Sequence, residues 1–217
     1  MSSIYYNGGN DNMMSIKNDD IDDIKQTKPS YFDVYKIVLL GEGMVGKTSL
    51  RKRFTESDFQ RNYLMTIGVE VSTKNFKCKV NDKEIPVTFL IWDLGGQLYF
   101  LRVREQYYKG ANGGLLVYDI TNRKSFEVLD RWIEELLDAR GQIPLLIVGN
   151  KIDLRKPNVE YVTYTEGLKR VEELKEKYNL TAIDFIETSA LTGENVEEAF
   201  QKLGKMIIST SSIESII

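Results

Sequence analysis

The chain has 217 residues, 42% apolar and 28% charged, with a formal net charge of −3. This is enough apolar material for one domain of ordinary size, which excludes a wholly disordered chain, and the slight acidic excess argues against a nucleic-acid-binding protein. The single cysteine, Cys78, excludes an internal disulfide and suits a reducing, cytoplasmic compartment, and no apolar run reaches the length of a membrane span.

Residues 1–33 are rich in Asn, Asp, Ser and Gly, with an acidic cluster at Asp19, Asp20, Asp22 and Asp23. That composition predicts a mobile N-terminal tail; Met13, Met14, Ile16, Ile21 and Ile24 suit a short helix formed on binding. Ser2 stands where N-myristoylation requires glycine, and the short C-terminal tail, 211–217, offers no cysteine for prenylation, so no lipid anchor is expected and any membrane contact is indirect or weak.

A domain over 34–210 follows. "YKIVLL" is an apolar run bounded by glycine, the pattern of a strand buried on both faces, and "GEGMVGKTSLRKRF" turns from it into a helix. "EVSTKNFKCKV" and "IPVTFLIW" read as strands joined by the polar turn "NDKE". In the first, Phe76, Cys78 and Val80 face one way and Lys77 and Lys79 the other. "GGLLVYDI", "PLLIVGN" and "AIDFIETSA" are three further strands. Between them, Phe126, Leu129, Trp132, Ile133, Leu136 and Leu137 recur at helical spacing up to Gly141, and Thr163 with Glu166 forms a capping box ahead of "LKRVEELKEKY". Val196, Phe200, Leu203 and Ile207 mark one face of a last helix. Strands alternating with helices predict an α/β fold of about six mostly parallel strands with helices on both faces. The short turn before "WDLGG" makes one strand antiparallel, and a ligand site belongs at the strands' carboxyl ends.

"GEGMVGKT" fits the phosphate-loop pattern at Gly41, Gly46, Lys47 and Thr48, between a strand and a helix as that pattern requires. Backbone N–H groups of such a loop surround an anion, and the helix N-terminus adds favourable potential. Lys47 would reach the outer phosphates, Thr48 would offer its hydroxyl to Mg²⁺, and Gly43 leaves space beside the terminal phosphate. The loop does not select a base. "VGNKID" supplies Asn150, Lys151 and Asp153 after another buried strand. An ionised carboxylate accepts only, so Asp153 matches the two donors on the guanine edge and opposes the N1 lone pair of adenine. The stem of Lys151 can cover one face of the ring, and Ser189 and Ala190 in "ETSALTG" can present N–H groups to the guanine carbonyl.

In these motifs the chain resembles the Ras superfamily of small GTPases from residue 35 to about 208: "GEGMVGKTS", "YLMTIGVE", "WDLGGQ", "GNKID" and "ETSA" stand in the family's order. "TIGVE" and "QYYKGANGGLLVYDITNRKSFE" look most like the Rab branch. "WDLGGQ" looks more like Arf, since the Rab pattern has Thr-Ala in place of Leu94-Gly95, and Leu98 replaces the usual glutamate. The resemblance implies a P-loop NTPase G domain. It implies a nucleotide-binding set of Gly41, Glu42, Gly43, Met44, Val45, Gly46, Lys47, Thr48, Ser49, Phe59, Thr66, Gly96, Asn150, Lys151, Asp153, Ser189, Ala190 and Leu191. It further implies that Phe59 packs on the guanine, that Thr48, Thr66 and, through a water, Asp93 hold Mg²⁺, that Gly96 gives its N–H to the γ-phosphate, and that Gln97 orients the attacking water, with Lys47, Thr66 and Gly96 sharing the catalytic work.

The reaction so implied is GTP plus water to GDP plus phosphate, in a monomer that acts as a molecular switch in trafficking or signalling. Tyr63, Leu64 and Met65 fill the space where some relatives carry an arginine acting in cis, and Arg61 lies further back. Slow intrinsic hydrolysis is therefore expected, accelerated by the arginine of a GTPase-activating protein by about 10³–10⁵. An exchange factor and effectors are the other implied partners, with Ile67, Val69, Leu98, Tyr99 and Phe100 as a nucleotide-dependent surface. The alternatives are a GTP/GDP-binding module with little hydrolysis, which the unusual Leu94, Gly95 and Leu98 favour, and an ATP-dependent phosphotransferase, which Asp153 opposes.

Overall fold

A computed structural model describes residues 33–56, 68–95, 101–157 and 159–214. Strand β1 (Asp33–Leu40) leads through the phosphate loop into α1 (Lys47–Thr55). Strands β2 (Val69–Val80) and β3 (Lys83–Leu94) form a ribbon, followed by α2 (Leu101–Tyr108) and β4 (Gly113–Asp119). Next come α3 (Arg123–Glu127), α4 (Leu129–Arg140), β5 (Leu145–Asn150), a short 3₁₀ turn (Ile152–Leu154), α5 (Tyr164–Tyr178), β6 (Ile183–Thr188) and α6 (Val196–Glu214). The described strands make one six-stranded sheet in the order β2-β3-β1-β4-β5-β6, with β2 antiparallel to β3 and every other pair parallel.

Alternation along β1 divides the core into two layers. Ile37 and Leu39 face Leu50 and Phe54 of α1 and Phe200 and Leu203 of α6. Val38 and Leu40 face the opposite layer, with Tyr108, Trp132, Leu136 and Leu174. Both layers are buried, which is why the parallel strands read as unbroken apolar runs. Cys78 lies in the first layer, where burial pushes its thiol up from the ordinary value, and its Sγ is 3.7 Å from the Gln201 carbonyl. Val196, Phe200, Leu203 and Ile207 are all buried along α6. The Thr163 capping box forms in both directions: Glu166 N–H donates to Thr163 Oγ1, and Thr163 N–H donates to Glu166 Oε2.

Four local expectations are corrected. The β2–β3 turn has two residues, not four: Asn81 and Asp82 both take positive φ (46° and 60°), which suits a tight hairpin, and Lys83 and Glu84 join the ladder. The helical period after β4 is broken at Val128 (φ −92°, ψ 12°). Buried Ser125 holds the short α3 against the end of β4, accepting from Asp119 N–H at 3.1 Å and donating to the Asn122 carbonyl at 2.6 Å. Helix α2 was not foreseen, and α6 runs to Glu214, into the segment read as tail. Among the described residues no helix is long and apolar enough to cross a membrane.

Candidate functional site

The phosphate loop leaves β1 at Gly41, whose φ of 126° excludes most side chains, and a Cβ there would lie 2.1 Å from the Val117 carbonyl oxygen. Gly46, at φ 103°, is equally constrained: a Cβ would lie 2.2 Å from Asn150 Nδ2. Gly43 is different, since nothing lies within 4 Å of the Cβ it lacks. Met44 takes φ 69°, unusual for a long side chain, and is 68% exposed at the rim. Val45 is buried, and Thr48 and Ser49 lie in the first turn of α1. Lys47 is buried, and its Nζ donates to the carbonyls of Gly41 and Glu42, both at 2.7 Å. The ammonium thus ties the start of α1 back to the two carbonyls that open the loop. The Glu42 side chain turns away from the cradle and accepts from Arg131 and from Trp132 Nε1.

Asp93 ends β3 beside β1 and is fully buried. Burial pushes its carboxyl above the ordinary range, against the pull of the Thr48 hydroxyl, Lys47 and Arg51 toward the ionised form. Neither carboxylate oxygen is in a hydrogen bond of ordinary geometry. A buried acid left in this way, near a hydroxyl at the foot of the loop, suits a divalent cation that takes oxygen ligands and keeps several waters. Among the described residues no group of three His, Cys, Asp or Glu side chains is placed to hold a metal ion by itself.

The strand ends β5 and β6 build the other side. Asn150 is buried, and its amide makes three hydrogen bonds: Nδ2 donates one N–H to the Val45 carbonyl at 2.9 Å, and Oδ1 accepts from Thr188 Oγ1 and from Ala190 N–H, both at 3.1 Å. It therefore ties the phosphate loop to the β6 loop. Lys151 takes φ 72°, and its Nζ pairs with Asp119 Oδ2 at 2.6 Å. Asp153, in the 3₁₀ turn, accepts from buried Ser189 Oγ. Arg53 of α1 donates Nε to the Ala190 carbonyl at 2.9 Å and also donates to the Leu191 carbonyl.

Three residues that shape this site escaped the sequence reading: Asp119, Arg53 and Arg51. Asp119 follows a buried strand, as Asn150 does, and that position was its available signal. The two arginines, in a basic stretch of α1, gave none. Phe59, Thr66, Gly96 and Gln97 lie outside the described residues, as do Ile67, Leu98, Tyr99 and Phe100. Val69 is described and packs, partly buried, against the second core layer.

A phosphate loop after β1, a buried acid at the end of β3 and an Asn–Lys–Asp turn after β5, all at the carboxyl edge of one mostly parallel sheet, define a P-loop nucleotide-binding domain. The Ras family model matches residues 36–209. The chain is similar to Ras-related protein Rab-11A of Dictyostelium discoideum, 41% identical over 82% of this chain and 78% of that one. It is also similar to Ras-related protein RGP2 of Oryza sativa subsp. japonica, 42% identical over 80% and 74%, and to Ras-related protein RABA1i of Arabidopsis thaliana, 38% over 82% and 76%. The chain belongs to the Ras family, on its Rab-like side. It is a small GTPase that binds GTP and GDP with Mg²⁺, hydrolyses GTP and acts as a nucleotide-dependent switch.

Proposed function

We propose that the residues assembled here divide the work as follows. The loop N–H groups from Gly43 to Thr48 and the Lys47 ammonium hold the β- and γ-phosphates. Thr48 and Asp93, with Thr66, hold Mg²⁺, which when bound neutralises charge shared between the two outer phosphates. Asp153 reads the guanine edge while Ser189 keeps its carboxylate oriented. Lys151, braced by Asp119, lines the ring, and Ala190 N–H, shared with Asn150, sits at the guanine carbonyl side. Phe59, Gly96 and Gln97 take the roles the sequence assigns them: ring packing, γ-phosphate contact and water orientation.

The observation that carries this reading is the position of Lys47. It is buried at the end of a loop that admits no Cβ at Gly41 or Gly46, with its Nζ held by the Gly41 and Glu42 carbonyls. The loose phosphoryl-transfer transition state asks for fixed positive charge more than for covalent chemistry. Thr66 and Gly96 are held only while the γ-phosphate is present, so their loops relax after hydrolysis. We place this switch in membrane traffic, as a cytoplasmic monomer with a separate activating protein, exchange factor and effectors. The Rab-like relatives support that setting.

The test is base exchange. Asp153→Asn should weaken GTP binding and improve xanthosine triphosphate binding in a competition assay. Unchanged preference would remove Asp153 from the base-reading role. Single-turnover hydrolysis of wild type and Gln97→Leu tests the chemistry: equal rates would remove Gln97 from it.

A further inference from the structure

Arg51 is an almost fully buried cation that none of the roles above uses. It lies on α1 one turn after Thr48, with its side chain 6% exposed. Its two terminal nitrogens are committed to β2: Nη1 donates to Ser72 Oγ and Nη2 to the carboxylate of Glu70. Glu70 is also the residue that pairs across the ladder with Asp93. The third nitrogen, Nε, faces Asp93, 3.6 Å from Oδ2. That separation is within ion-pair range but beyond a hydrogen bond, and neither Nε nor either Asp93 oxygen is in another hydrogen bond of ordinary geometry, although the Thr48 hydroxyl and Lys47 also act on Asp93.

This geometry is unusual for a merely structural arginine. A buried guanidinium that serves packing closes its fork on the acid and satisfies both groups. Here the fork is closed on Glu70 and Ser72, and Asp93 receives charge without being captured. Its oxygens keep their lone pairs. A full unpaired charge at so buried a site is strongly unfavourable, and Arg51 stands beside Asp93 as a buried cation in addition to Lys47. The same charge stands against any second cation that arrives.

The geometry points to Arg51 as a resident counter-cation for Asp93, a positioning residue that holds the acid ready while the metal is out and weakens Mg²⁺ binding when it enters. The inference rests on the assignment of Asp93 to the metal. Its consequence is kinetic: metal loss, and with it nucleotide loss, becomes easier because a replacement charge is already in place. Through Glu70 and Ser72 the same side chain fastens α1 to the start of β2.

The test uses the full chain loaded with fluorescent GDP, with release followed across free Mg²⁺ concentration. The variants are Arg51→Gln and Arg51→Met, both neutral, Arg51→Lys, Asp93→Asn, and Arg51→Gln combined with Asp93→Asn. Removing the charge should lower the Mg²⁺ concentration that half-suppresses release by about tenfold, within the usual range of coupling between two sites. Arg51→Lys should stay near wild type, and Arg51→Gln should have no effect on the Asp93→Asn background. The melting-temperature loss in Arg51→Gln should be larger in the metal-free protein than in the Mg²⁺·GDP form. A midpoint that is unchanged or raised in whichever neutral variant folds, or an equal loss with and without metal, overturns the inference. If Asp93→Asn itself leaves the Mg²⁺ dependence unchanged, the assignment of Asp93 fails instead, and the two failures are distinguishable.

Discussion

The side-chain amide of Asn150 donates to the backbone carbonyl of Val45, 105 residues earlier in the chain. With its other end it accepts from Ala190 N–H, so one buried side chain spans the phosphate loop and the β6 loop. Asn150→Ala would leave the Val45 carbonyl and the Ala190 N–H without their partner, at roughly 1–3 kcal/mol for each buried group. The expected loss in urea unfolding is about 3 kcal/mol. Affinities for guanine and xanthine nucleotides should fall in parallel, unlike the exchange of preference expected for Asp153→Asn. A changed base preference in Asn150→Ala would show that Asn150 reads the base directly.

Gly43 and Gly46 lie three residues apart in one loop, and they predict opposite phenotypes. Gly43→Ala enters open space, so its stability should stay within about 0.5 kcal/mol of wild type and nucleotide should still bind, while single-turnover hydrolysis slows. Gly46→Ala combines a strained positive φ with displacement of the Asn150 amide, and should lose more than about 2 kcal/mol together with nucleotide binding. Thermal melts and a nucleotide-retention assay on the two variants separate these outcomes. Equal destabilisation would mean that the loop is less open at Gly43 than described.

Asp119 predicts an effect on nucleotide lifetime. It accepts from Thr121 N–H and Thr121 Oγ1 while pairing with Lys151, so its carboxylate is held by a turn. Asp119→Asn keeps the amide oxygen for Thr121 and removes the charge from Lys151. Release of GDP should quicken by about fivefold, the equivalent of ~1 kcal/mol for a partly exposed pair. Stopped-flow release is the measurement, and an unchanged rate would make the pair structural only.

Glu166 predicts a pH dependence. The N–H of Thr163, then Arg123 and the Thr163 hydroxyl, hold its carboxyl down at about 2. A carboxyl lowered by folding contributes stability above its unfolded value, and that contribution is lost as the pH falls through the folded value. Its surroundings are partly exposed and screened, so Glu166→Gln should lose only about 1 kcal/mol at neutral pH. The gap from wild type should close between about 4.5 and about 2, in denaturation curves taken across that range. A gap independent of pH would assign the loss to packing.

Elements with one dominant physical signal were legible in the sequence. Strands β1, β4 and β5 are buried on both faces and read as apolar runs, and the Thr163–Glu166 box closed as its spacing implied. The phosphate loop and the Asn150–Asp153 turn were legible because glycine and carboxylate chemistry restricts what can stand there. Helix α2 was missed because among its described side chains only Tyr108 is fully buried, too little for a period to show. The break at Val128 depends on Ser125 reaching back to β4, which a helical period does not register. Arg53 and its Ala190 partner are 137 residues apart, and Arg51 meets acids on two different strands. Periodicity tells which face a side chain occupies, not which distant group it meets there.

The sheet ends on β2, a twelve-residue strand with no further strand beyond it among the described residues, and near its hairpin end the Gln201 side chain of α6 accepts from the Lys79 N–H and donates to the Lys77 carbonyl. A long strand with a bare rim is a template on which another copy of the chain can pair. Lys77 and Lys79 are exposed near the hairpin end, and Glu70 with Val71 at the other. At the hairpin end the Gln201 amide occupies backbone groups that a second strand would need, while Lys77 is paired with Glu84, so the last helix blunts that part of the sheet's edge.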